Sequence, residues 1–199
     1  TLYSDDQGRG LVRPEGVGCG GDGLLTIADS GNSRILVYRD ADGGFTEAAR
    51  IDLRDLPRPV SVQPLADGGM LVLDGKLRRL GRIVNGTFAG YLDLKGVPEP
   101  EVVPRNFRVG ADGTLYLLDL FGHRVLVLDS RGSYQHQIRL PGDSRGPEDL
   151  FLDSRGQIVV VDAVSRRLYA AGLKDDVFVP LTPALGDQLH FPVSLTADG

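Results

Sequence analysis

Short apolar runs divided by glycine-rich polar breaks fill this chain from end to end. Leu24 to Ala28, Met70 to Leu73, Leu115 to Leu118 and Ile158 to Val161 are apolar throughout, as expected of strands covered on both faces. A second set follows after a short connection: Arg34 to Tyr38, Arg79 to Val84, Arg124 to Leu128 and Arg167 to Ala171. A third set alternates, as in Ile51-Asp52-Leu53 and Leu92-Asp93-Leu94, which suits strands at a solvent edge. An aromatic opens each of these outer runs: Phe45, Phe88, Tyr134 and Phe178. Around Pro104 the order is plainest. Asn106 to Val109 predicts a strand, and Asp112-Gly113 predicts a type I′ hairpin turn. After Leu115 to Leu118 and Arg124 to Leu128, Ser130-Arg131-Gly132 turns the chain into Tyr134 to Leu140. Three hairpins in succession predict a four-stranded antiparallel meander.

The meander recurs. Pro14, Pro59, Pro104 and Pro147 open its copies, 43 to 45 residues apart. Gly23, Gly68, Gly113 and Gly156 follow each proline by nine residues, and Asp29, Asp74, Asp119 and Asp162 follow each glycine by six. Five residues further stand Arg34, Arg79, Arg124 and Arg167. A four-stranded meander at this period predicts an all-β fold, the β-propeller, in which each unit is one blade. One blade alone leaves both faces bare, and stacking covers them. The blades span about 13–53, 58–94, 103–140 and 146–181, and 190–199 opens a further one, so that the whole of 1–199 reads as one propeller domain. Residues repeated in every unit read as structural, and each Asp is expected to pair with its Arg across one loop.

Composition narrows the picture. The net charge of −5 supplies no general field for nucleic acid. Arginine outnumbers lysine 19 to 3, which suits planar, bidentate pairing. Cys19 is the only cysteine, which removes intrachain disulfides; its place on an inner strand predicts a small buried apolar residue. No apolar run reaches the length of a membrane span.

The repeated residues resemble NHL-repeat propellers. Unit one carries the pattern nearly throughout: Pro14-Glu15-Gly16-Val17, Asp22-Gly23, Ile27-Ala28-Asp29-Ser30-Gly31-Asn32-Ser33-Arg34-Ile35, then Asp42-Gly43-Gly44-Phe45. Unit three matches at Asp112-Gly113, Leu118-Asp119 and His123-Arg124-Val125. Unit two departs at Asp74-Gly75-Lys76-Leu77-Arg78-Arg79, and unit four at its first turn. The resemblance implies a six-bladed propeller of which this chain is a part. It also implies roles ranging from interaction module to hydrolase.

Function is expected where the units differ. Arg13, Arg58, Arg105 and Arg145 stand near the opening prolines without a recurring acidic partner, and are candidate contacts for another protein. His190 lies at a comparable place. Scattered aromatics, including Tyr3, Tyr38, Tyr91, Phe121 and Tyr169, fit such a surface. Glu15, Asn106, Glu148 and Asp149 offer hard oxygen ligands, and a channel Ca²⁺ site serving a hydrolase or lactonase is the alternative. A zinc lyase finds no histidine ring in the repeats, and RNA binding finds no basic and aromatic stripe. The expectation is therefore a non-catalytic module without a cofactor, engaging a protein partner in a bacterial cell-envelope or extracellular assembly. That places the chain in the periplasm or outside the cell, with no nucleic acid and no membrane span.

Overall fold

The computed structural model describes residues 8, 10–20, 23–41, 43–98, 101–153, 155–181 and 192–193. The sequence features at Tyr3, at His190 and at the opening of a fifth blade fall outside these, apart from Pro192 and Val193.

Four antiparallel sheets of four strands each form four propeller blades. Blade one holds β1 (Pro14–Cys19), β2 (Leu24–Asp29), β3 (Arg34–Ala41) and β4 (Gly44–Asp52). Blade two holds β5 (Pro59–Pro64), β6 (Met70–Asp74), β7 (Arg79–Val84) and β8 (Thr87–Tyr91). Blade three holds β9 (Pro104–Val109), β10 (Leu115–Asp119), β11 (Arg124–Leu128) and β12 (Tyr134–Arg139). Blade four holds β13 (Pro147–Leu152), β14 (Gln157–Asp162), β15 (Arg167–Gly172) and β16 (Val179–Pro180). The chain divides into two compact units, Thr1–Leu92 and Asp93–Gly199, each holding two blades.

The first unit is held by Ala28, Ile35 and Val37 of blade one against Val62, Val72 and Ile83 of blade two. The second repeats this with Leu118, Val125 and Val127 against Leu150, Ile158 and Val160. The middle strands of the blades are the most deeply covered, and β10 and β11 are buried along their whole length. Fully burying side chains of this size contributes about 1.5–3 kcal/mol each. In the first unit the inner strands approach backbone to backbone. A Cβ on Gly16 would lie 2.6 Å from the Val60 carbonyl oxygen, and one on Gly18 would lie 2.4 Å from that of Val62.

The first turn of blade three differs from the expected type I′. Gly113 has φ +83, but Asp112 keeps a negative φ. Gly113 N–H donates to Gly110 O at 2.9 Å, and Gly110 N–H donates to Thr114 O at 2.8 Å. This is a three-residue loop closed by a left-handed glycine. The same paired bonds join Leu65 with Gly68 and Gly69, and Asp153 with Gly156 and Gln157. The glycine of the repeat is therefore required by backbone conformation, whereas the Asp before it accepts local N–H bonds, as Asp112 does from Thr114.

A second recurring device was not foreseen. The residue just before each register arginine is left-handed although none is glycine: Ser33 (φ 50), Arg78 (φ 54), His123 (φ 51) and Arg166 (φ 55).

Candidate functional site

Each blade begins with proline, which has no N–H to give and so tolerates the first position of a strand. One residue later the register slips. Pro14 opposes Asp29 while Gly16 opposes Ala28, so Glu15 is an extra residue in β1. The same bulge sets out Val60 in β5, Arg105 in β9 and Glu148 in β13. Bulges re-aim side chains, and here they turn three of the charged candidates out of the sheets.

Two of these meet across neighbouring blades of the second unit. Arg105 Nε donates to Glu148 Oε2 at 2.8 Å, with Nη2 on the same oxygen. In the first unit, Arg58 Nη2 donates to both oxygens of Glu15, at 2.9 and 3.1 Å. Arg58 and Arg105 thus have acidic partners, contrary to the sequence expectation. The spacing of one blade, 43 residues in both cases, hid the pairing. Arg13 is exposed in a left-handed conformation (φ 46), and Arg145 is exposed where the chain leads into blade four.

The suggested calcium ligands are likewise engaged. Asp149 is buried, accepting from Asn106 Nδ2 at 2.6 Å and from Arg108 Nη2 at 3.0 Å. Nothing in the sequence singles out Arg108 for this role. It alternates with Asn106 along β9, and only the docking of β13 alongside brings it to Asp149. Among the described residues no three His, Cys, Asp or Glu side chains gather as a metal ligand set.

Three of the repeated aspartates form a common clip. Asp29 accepts from Val12 N–H at 2.8 Å, and Asp119 from Val103 N–H at 2.9 Å. Asp162 accepts from Arg145 N–H at 2.7 Å and Gly146 N–H at 3.0 Å, so the segment entering each of these blades is tied to the end of its second strand. Burial works against the charged form of Asp162. Hydrogen bonds from Ser144, Ser165 and Gly146 outweigh it and hold the carboxyl below its usual pKa. The arginines are less uniform. Arg34 pairs with Asp29 at 2.7 Å and Arg124 with Asp119 at 2.9 Å, all four side chains being buried. The two other expected pairs do not form. Arg79 instead lies over the ring of Tyr91, 4.5 Å from its centroid, and the Tyr91 hydroxyl sits 2.9 Å from Asp74 Oδ2. Burial, and then that carboxylate, push the Tyr91 phenol well above its ordinary pKa. Arg167 turns outward to Asp143.

Cys19 is exposed rather than buried, because the face of β1 that carries Glu15, Val17 and Cys19 points away from the blade. His123 lies 3.3 Å from the Pro141 carbonyl oxygen and belongs to its loop.

The chain is similar in structure to virginiamycin B lyase from Staphylococcus aureus, at 20% identity and a TM-score of 0.62, over 87% of this chain and 57% of that one. A streptogramin B lyase follows at 15% identity and a TM-score of 0.64, over 84% of this chain and 53% of that one. Kuenenia stuttgartiensis hydrazine synthase matches at 14% identity and a TM-score of 0.63, over 90% of this chain and 50% of that one. The chain thus spans 50 to 57% of the length of these proteins. No protein-family model matches the chain, and no curated protein matches it. At these identities the likeness bears on architecture alone, and it agrees with the four sheets: the chain has a β-propeller fold.

Proposed function

We propose that this chain is part of an NHL-type propeller that acts as a non-catalytic interaction module. It binds another protein through the blade ends that carry the opening prolines, and works in the periplasm or outside the cell. The observation that carries this reading is the mutual pairing of the inner-strand ions. Glu15 with Arg58, Glu148 with Arg105, and Asp149 with Arg108 and Asn106 satisfy one another. A carboxylate already held by a guanidinium is a poor base and a poor ligand for a cation. In virginiamycin B lyase from Staphylococcus aureus, a form with one histidine replaced by alanine is catalytically inactive. Here His123 is bound within its loop, and His136 has a buried Nε2 with no hydrogen-bond partner among the described residues. Arg13 and Arg145 are exposed near the opening prolines, and Arg58 and Arg105 lie in exposed ion pairs.

Chemical cross-linking of the protein in extracts of its own source, compared with R13E and R145E variants, tests the reading. A specific cross-linked partner that is lost on charge reversal is the expected result. Micromolar Ca²⁺ binding by calorimetry, with cross-linking indifferent to the arginines, overturns it in favour of a channel hydrolase.

A further inference from the structure

The loop joining second to third strands presents a largely exposed apolar residue in each blade of the second unit. In blade three it is Phe121, 58% exposed beside Leu120, and in blade four it is Val164, 59% exposed. Blade one builds the same connection from Ser30, Gly31, Asn32 and Ser33, so the turn itself makes no demand for apolar side chains. The register aspartates fix the position of both residues. Phe121 N–H donates to Asp119 Oδ1 at 3.2 Å, and Val164 N–H to Asp162 Oδ1 at 3.0 Å. Buried carboxylates thus hold exposed apolar groups at the rim.

The two loops are linked through the segment that enters blade four. His123 touches Pro141 at the start of the segment between the blades. That segment ends with Arg145 and Gly146 on Asp162, and a Cβ on Gly146 would lie 2.5 Å from Val164 Cγ2. Around Val164 the charge opposes that of the whole chain, while Glu101 lies exposed on the segment entering blade three. Asp119 and Asp162 are buried, Asp143 is bound to Arg167, and Glu148 to Arg105. Arg145 and Arg166 are exposed, with no acidic side-chain partner among the described residues.

We infer that this rim, centred on Phe121 and Val164 and flanked by Arg145 and Arg166, docks an acidic segment of a partner protein that carries a large apolar anchor residue. The inference rests on the interaction-module reading and narrows it to one rim and one chemistry. Apolar groups held in place lose little freedom on binding, and arginine is favoured beside them at interface hot spots. The net charge of −5 disfavours a polyanion that would spread over the whole surface.

The test measures fluorescence polarisation of short labelled peptides against the full chain. One is a glutamate-rich peptide with a central Leu-Phe pair, one has that pair replaced by serines, and one replaces glutamate by lysine. A labelled oligouridylate is the fourth probe. The first peptide is expected to bind, and the other two peptides to bind at least about tenfold more weakly. R145E/R166E and, separately, F121S are each expected to weaken the first peptide by about tenfold or more, with unfolding midpoints unchanged. Equal binding of all three peptides, no binding of any, or indifference to both variants overturns the inference. So does oligouridylate binding that R145E/R166E abolishes, which would make the rim a nucleic-acid site. Cross-linking that depends on Arg13 but not on Arg145, Arg166 or Phe121 would keep the module reading while removing this rim from it.

Discussion

Blades three and four pair their first three strands in the same register, yet treat their matched arginines in opposite ways. Arg124 turns inward, is 1% exposed, and spans Asp119 Oδ2 at 2.9 Å and Gln137 Oε1 at 2.7 Å. Arg167 turns outward to Asp143, with both side chains nearly half exposed. The aspartates do not follow this split, since Asp119 and Asp162 both tie down the segment entering their blade. The two blades differ in the donors already on the carboxylate, Ser144 Oγ, Arg145 N–H and Gly146 N–H all bonding Asp162 Oδ2, and in the third residue after the Asp. In blade three it is Gly122, where a Cβ would sit 2.2 Å from Arg124 Nε and 2.5 Å from Asp119 Oδ2. In blade four it is Ser165, and in blade two Leu77, and neither arginine reaches its Asp. Blade one places Asn32 there on a short 3-10 turn, and its Nδ2 joins the pair by donating to Asp29 Oδ2 at 2.7 Å. A repeat can therefore keep its backbone clip whether or not its ion pair forms.

The contrast breaks most visibly when the buried pair is cut. R124A leaves Asp119 charged and buried, and should lower stability by about 3–5 kcal/mol. R167A removes an exposed pair and should cost under about 1 kcal/mol. Urea unfolding of both variants checks this, and equal losses would erase the distinction between the blades. A smaller effect sharpens the cause. G122A should cost about 2 kcal/mol by crowding Arg124 away from Asp119, whereas S165G should change stability by under about 1 kcal/mol. If G122A is silent, the residue at this position does not select the pair. The smallest effect concerns pH. Because the folded pKa of Asp162 is lowered, its contribution is complete above about pH 4 and fades as pH falls through the folded value. D162N should therefore be less stable than the parent at neutral pH, and the gap should narrow below that point. A gap independent of pH would show that the charge of Asp162 is not what it contributes.

The blades are legible in the sequence because their signals are local: apolar runs, a left-handed glycine at the first turn, and a proline that can only open a strand. The pairing of Asp74 with Tyr91, and of Arg58 with Glu15, was not legible. Both join residues from different strands or blades, and nothing in the local pattern distinguishes Arg79 from Arg124 until Leu77 and Gly122 are compared. The bulge after each proline was also hidden, although it decides which way Glu15, Arg105 and Glu148 point. Cys19 shows the same limit, since its strand was foreseen but the exposure of its face was not. The exposed aromatic Phe121 was visible as a residue, but that Val164 stands exposed at the matching place of blade four follows only from the structure.

The left-handed residue ahead of each register arginine has an evolutionary consequence. Serine, arginine, histidine and arginine all occupy it, at φ values within five degrees of one another. The backbone cost of that conformation, about 1–2 kcal/mol for a residue with a side chain, is already borne whichever one is present. Exchanges among such residues are therefore close to neutral for the backbone, although Ser33 and His123 each also bond a carbonyl oxygen of the segment that follows their blade. The position acts as an interchangeable socket, through which the surface beside the loops can acquire a new side chain while the scaffold beneath stays as it is.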